Sequence, residues 1–482
     1  MGLTLVWLRN DLRLADHPAL HAAGEALPVF VWHPEGEAPW APGSASRWWL
    51  HHSLAALGKE VAKRGGGLVL RAGDPAAQLV ALARETGAET VHFTRRVEPW
   101  ARRQEQAVEA ALKAAGVAVR AFAPNLLVEP DGHRNGTGGP FQVFTPFWKT
   151  AAERVPVAEP LPAPARLAKT PAPSARLESL GLLPKTDWAG GFRELWVPGE
   201  AGAGRMLDEF LGGPVAAYPK DRDIPGVPGT ALLSPHLHFG EISPRAAWHA
   251  AAQRAEAGGA PGMIRGVEEW VRQLYWREFG HYMVWHFPHT PEAPLRTEFG
   301  AFPWRDDGAM LRAWQRGLTG YPIVDAGMRE LWHTGWMHNR VRMIAASFLV
   351  KDLLIPWQRG AEWFWDTLVD ADLGNNTLGW QWTAGCGPDA APYFRVFNPV
   401  LQGAKFDPDG AYVRRWVPEL AGLDNRALHA PWTVSEMELL AAGVRLGDNY
   451  PRPVVEHAGA RDRALLAYEQ VKRAKAEERR GL

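Results

Sequence analysis

Cysteine is nearly absent. Cys386 is the only one in 482 residues, which rules out an intramolecular disulfide and argues against a cysteine-ligated metal or iron–sulfur cluster. No metal site is expected. Long apolar runs are missing as well: nothing approaches the roughly 20 residues of a membrane span. The N-terminus, MGLTLVWLRNDLRLADH, turns charged at Arg9, so it does not read as a leader, and a cytoplasmic protein is expected. Net charge is also lacking. With 53 basic and 53 acidic side chains, the chain has no overall pull toward a polyanion, and nucleic-acid binding would need a local basic patch. The loop after the first apolar run, RNDLRLADHPAL, contains no glycine. A Gly-rich phosphate turn of the dinucleotide-binding kind is therefore missing. No repeat at a solenoid period is visible.

Tryptophan is abundant instead: 24 residues, fifteen of them at or beyond position 201. That is more indole than an ordinary core needs.

The first 125 residues alternate short apolar runs (3–8, 27–33, 67–72, 90–95 and 117–122) with helical segments such as 46–64 and 74–85. Repeated strand–helix–strand units of this kind imply a doubly wound, Rossmann-like parallel sheet of five strands. Residues 126–200 break into proline- and glycine-rich sequence, RNGTGGP and VPVAEPLPAPARLAKTPAPSARLESLGLLPK among it, and read as an extended connector. From 201 to 482 strand signals vanish and helix-length segments dominate, so the second half is expected to be all-α. It closes on a charged helix, RDRALLAYEQVKRAKAEERRGL, which reads as a solvated face.

The chemistry should lie in the helical half. The segment DTLVDADLGNNTLGWQWTAGCGPDAAPYF (366–394) concentrates two aspartates, two asparagines and two tryptophans between Asp370 and Trp382. In GWMHNRVRMIAASFLVKDLL, Trp336, Asn339, Arg340 and Met343 are spaced for one helix face, while Val341, Ile344, Ala345 and Phe348 form the apolar stripe. Arg342 lies off both and could pair with an acid of the 366–394 stretch. In WVRQLYWREF, Gln273, Trp276 and Arg277 give a second surface of amide, ring and cation. Rings interleaved with amides and arginine suit a flat polar ligand or an extruded base.

These stretches, with WLRNDLRLADHPAL, RDIPGVPGTALLSPHLHFGEISPR and the run from GWQWTAGCGPDAAPYFRVFNPV onward, resemble the photolyase and cryptochrome flavoproteins over nearly the whole chain. The resemblance implies an antenna-binding α/β domain (1–125), the connector (126–200), and a helical domain (201–482) that binds FAD and DNA lesions. For FAD it implies Tyr218, the run Thr230, Ala231, Leu232, Leu233 and Ser234, then Arg342, Asp370, Ala371, Asp372 and Asn376. Arg342 would pair with Asp370. Asn376 matches the position opposite flavin N5, where plant-type cryptochromes carry Asp and animal-type ones Cys. An electron-transfer chain is implied through Trp380, Trp357 and Trp304, in order from flavin to surface.

On the DNA side the resemblance implies Trp276 and Trp382 as the rings around a flipped pyrimidine dimer, Asn339 and Met343 at its base edges, and Gln273 where many dimer photolyases have glutamate. Arg222, Arg340, Gln402 and Lys405 would meet the strand. The expected reaction is blue-light-driven repair of cyclobutane pyrimidine dimers in UV-damaged DNA, a carbon–carbon lyase reaction, by a bacterial protein acting as a monomer without an obligate protein partner. The alternatives are a six-four photolyase, favoured by Gln273, and a cryptochrome-type blue-light photoreceptor. SRWWLHHSL is similar to the class III dimer photolyases, which implies a methenyltetrahydrofolate antenna, the alternatives being a deazaflavin or flavin antenna or none.

Overall fold

The five apolar runs are five strands in the computed structural model, which describes residues 2–169, 172–393 and 395–478. They are β1 (Leu3–Leu8), β2 (Glu25–Trp32), β3 (Val69–Ala72), β4 (Thr90–Thr94) and β5 (Ala118–Phe122). All pair in parallel in the order β3-β2-β1-β4-β5. In the central strands the cause is continuous hydrophobicity, whereas the edge strand β5 has no fully buried residue. A strand covered on both faces has no polar side to alternate with, and β1 is buried from Thr4 onward.

Helices α1 (Ser44–Lys63), α2 (Pro75–Thr86) and α3 (Pro99–Ala114) supply crossovers. The start of α2 is set locally: Asp74 accepts from the Ala77 N–H at 2.8 Å and Pro75 follows it. Leu79 and Leu82 of α2 and Val108 and Leu112 of α3 pack on Leu5, Trp7, Val29, Val91 and Phe93. Each such fully buried side chain is worth about 1.5–3 kcal/mol.

The sheet order reverses between β1 and β4, the place where open α/β sheets bind ligands. Here the crevice is filled by charge. Asp11 accepts from the Arg9 N–H at 2.7 Å, Arg9 pairs with Glu105 at 2.8 Å, and Arg96 pairs with Glu98 at 2.7 Å. The cavity left there is about 40 Å³, room for a few waters and not for a dinucleotide.

Packing divides the chain into two compact units, one of Met1–Ala217, Ala231–Pro288 and Val369–Gly374, the other of Tyr218–Thr230, His289–Leu368 and Asn375–Leu482. The expected segments 1–125, 126–200 and 201–482 are consecutive in sequence; the units are not. Beyond the sheet, the first unit contains α4 (Phe144–Arg154), α5 (Ser234–His238) and α6 (Met263–His286). The second contains α7 (Pro322–Thr334), α8 (Asn339–Ser347), α9 (Trp357–Thr367), most of α10 (Leu373–Ala384), α11 (Pro399–Phe406) and α12 (Ala411–Trp416). No helix among the described residues is long and apolar enough to cross a membrane.

Candidate cofactor and DNA sites

In the first unit, Ala231–Ser234 lead into α5. Leu232 has a left-handed φ of 50° and Leu233 a right-handed φ of −86°. Such a reversal aims successive backbone N–H groups into a concavity for anions, and a non-glycine residue at positive φ is strain of the kind found at ligand sites. The Ser234 hydroxyl donates to Asp370 Oδ2 at 2.6 Å. Asp372 Oδ2 lies 3.2 Å from His281 Nε2 and 3.8 Å from His238 Nδ1. Burial would raise the Asp372 carboxyl, but the two imidazoles outweigh it and hold it below the usual carboxylate range. Burial pushes His281 down to about 4, against the pull of the Asp372 carboxylate.

Glycine allows this meeting. A Cβ at Gly374 would stand 2.7 Å from the carbonyl carbon of Gly280, so the chain carrying Asp372 approaches α6 only without one.

His238 and His281 were not singled out from the sequence. A signal existed: Gln273, Arg277 and His281 recur every four residues, one polar stripe along α6. On that helix Gln273 donates to the Glu269 carbonyl at 3.0 Å, Trp276 is half-buried, and Arg277 pairs with Glu278 at 3.0 Å.

In the second unit the apolar stripe of α8 is as expected, with Val341, Ile344, Ala345 and Phe348 all buried. Asn339 on the other face is exposed, and its amide lies 3.9 Å from Met343 Sδ. Trp336 departs from expectation. The His338 side chain accepts from the Arg340 N–H at 3.2 Å and starts the helix at Asn339, so Trp336 sits in the preceding turn and shares no helix face with Asn339. Arg342 donates from Nε to the Met337 carbonyl at 2.7 Å, with its guanidinium 5.8 Å from the Trp336 ring.

Five of the expected DNA residues converge. Arg340, Met343, Trp382, Gln402 and Lys405 line one open cleft of about 640 Å³, together with Arg395, which the sequence reading missed. Its wall of rings and cations is the composition that binds stacked bases and phosphates. Arg340 also pairs with Asp223 at 2.7 Å and lies 4.4 Å over the Phe406 ring. Arg222 stands 5.3 Å over the ring of Tyr218, which is buried.

Asn376 of α10 donates from Nδ2 to the Ala361 carbonyl at 3.0 Å, leaving its Oδ1 to accept from another donor. Trp380 and Trp357 are 2% and 1% exposed, while Trp304 is half-buried, its ring 4.2 Å from that of Phe302. Trp314, also missed, is fully buried and meets Trp380 edge-on at 6.1 Å. Within the first unit, a concavity for anions and a carboxylate held below its usual range suit a flavin nucleotide; within the second, the Asn376 amide oxygen can accept from a ring N–H. No group of metal-ligating side chains occurs among the described residues.

Residues 4–165 match the DNA photolyase family, and residues 270–470 match the FAD binding domain of DNA photolyase. The chain is 47% identical to the deoxyribodipyrimidine photo-lyase of Agrobacterium fabrum over 97% of this chain and 98% of that one. It is 39% identical to cryptochrome-1 of Arabidopsis thaliana over 98% of this chain and 70% of that one. A crystal structure of a class III photolyase from Agrobacterium tumefaciens superposes with a TM-score of 0.94, at 46% identity and covering 98% of both chains. The chain belongs to the photolyase and cryptochrome family.

Proposed function

We propose that this protein is a deoxyribodipyrimidine photo-lyase that binds UV-damaged DNA and splits cyclobutane pyrimidine dimers under blue light. FAD in its reduced form supplies, when bound, the photoexcited electron that opens the cyclobutane ring and takes that electron back. The remaining work belongs to the chain. Backbone N–H groups of Ala231, Leu232 and Leu233 and the hydroxyls of Thr230 and Ser234 hold the phosphates and ribityl chain, with Tyr218 beside them. Asp370, Ala371 and Asp372 line the ring system with Arg342, and the Asn376 amide oxygen accepts from a ring N–H. Trp304, Trp357 and Trp380 pass electrons inward to keep the cofactor reduced.

Trp276 and Trp382 supply the rings on which the dimer stacks. Extruding it costs a few kcal/mol, less for a damaged and poorly paired step, so shape selects the lesion. Asn339, Met343 and Gln273 meet the base edges, while Arg222, Arg340, Gln402 and Lys405 meet the strand. The cleft that joins Trp382, Met343, Arg340, Gln402 and Lys405 carries this reading. Resemblance to class III alone carries the assignment of a methenyltetrahydrofolate antenna in the α/β domain. Denaturing the purified protein and identifying the released chromophores tests it.

The main test illuminates reduced protein with blue light in the presence of one oligonucleotide holding a cyclobutane thymine dimer and another holding a six-four photoproduct. Restored bases in the first alone are expected. Repair of the second would move the assignment to a six-four enzyme through Gln273, and repair of neither would favour a photoreceptor.

A further inference from the structure

Trp276 is held from outside its own helix. Phe144, the first residue of α4, stacks on the indole with ring centroids 3.6 Å apart and planes inclined by 11°. Phe279 meets both rings edge-on, at 6.0 Å from Trp276 and 5.9 Å from Phe144. Phe144 is 3% exposed, whereas Trp276 stays half-buried.

The backing ring is itself anchored. Phe147, next along α4, packs on Tyr282 and Phe279 at 5.0 and 5.2 Å. The Tyr282 hydroxyl donates to the His133 carbonyl at 2.8 Å and accepts from the Phe141 N–H at 3.1 Å. The segment before α4 is thereby tied to α6, and the entry of α4 is set. Part of the stretch read from sequence as a mere connector therefore contributes an aromatic wall.

We propose that Phe144 is a positioning residue for base stacking on Trp276, and through it a determinant of the preference for a damaged, extruded base over intact DNA. This rests on the reading of Trp276 as a lesion contact. A phenyl ring covering one face of the indole leaves only the other for a ligand, so Trp276 acts as a wall and not as a wedge between two bases. It also holds the indole rotamer before binding, so the incoming base does not bear the entropy of ordering that side chain.

The test is a double-mutant cycle in the full chain, with affinities measured for a dimer-containing duplex and an undamaged one of equal length. Phe144→Leu keeps an apolar side chain and removes the ring. It is expected to lower the dimer-to-undamaged affinity ratio roughly 2- to 10-fold, the worth of one aromatic pair, with undamaged affinity unchanged. Phe144→Tyr should keep the ratio. In a Trp276→Ala background, Phe144→Leu should have no further effect, because the ring it would orient is gone. If Trp276→Ala lowers the ratio and Phe144→Leu leaves it alone, Phe144 only fills space and the inference fails. If Trp276→Ala also leaves it alone, the reading of Trp276 fails first. Should Phe144→Leu not fold, Phe144→Met takes its place in the same cycle.

Discussion

The Trp380 indole rests directly on the backbone of α9 at Gly360: a Cβ there would stand 2.0 Å from its Cη2 atom. In an exposed helix interior, Gly→Ala stabilises by up to about 1 kcal/mol. At residue 360 the overlap is with a ring that is 2% exposed, so something must shift. Overpacking of this kind costs roughly 1–3 kcal/mol and outweighs the helix gain. Gly360→Ala should therefore lower stability to denaturant and slow photoreduction together; a more stable variant with unchanged photoreduction would show that the ring moves freely.

Trp380→Phe separates keeping the cofactor reduced from repair. The variant should lose most photoreduction by an external donor, while chemically reduced protein repairs dimers as before. Normal photoreduction would remove Trp380 from the electron path. The measurement is flavin absorbance under illumination, followed by repair in the dark-reduced sample.

Lys405 is exposed on the rim of the 640 Å³ cleft. If it meets a phosphate, Lys405→Ala should flatten the plot of log affinity against log salt by about one unit of slope, for damaged and undamaged DNA alike. An unchanged slope would leave the lysine in solvent.

Glu330 of α7 links the second-unit elements that carry the cleft. Its Oε2 accepts from the Tyr412 hydroxyl of α12 at 2.6 Å and from the His338 N–H, before α8, at 3.2 Å. Burial pushes its carboxyl up from 4.5 to about 7, against those hydrogen bonds. A raised acid favours the fold in its protonated form, so its contribution is full below about 4.5 and is lost as pH rises toward 7. Denaturant titrations of the protein and of Glu330→Gln should therefore show the stability difference, parent minus variant, falling across that window. A flat difference would mean that the carboxyl titrates normally.

Much of the fold was legible. Runs such as TVHFTR read as buried strands, and their alternation with α2 and α3 implies a parallel sheet. The polar face of α8 was legible for the same reason, because period 3.6 sorts Asn339 and Met343 from Val341 and Ile344. Trp336 was misplaced because the cap that starts α8 is a histidine, a residue the usual capping signals do not include.

What the sequence by itself determined was therefore local: which residues are buried, and which side-chain chemistry is concentrated at 366–394. Tertiary structure decided the partners. The stack of Phe144 on Trp276, the meeting of His281 with Asp372 and the shared cleft of Trp382 and Lys405 join residues distant in sequence. Periodicity specifies a face and never names what covers it. The close approaches at Gly360 and Gly374 are decided by a missing Cβ, and its absence has meaning only once the neighbouring ring or carbonyl is in place.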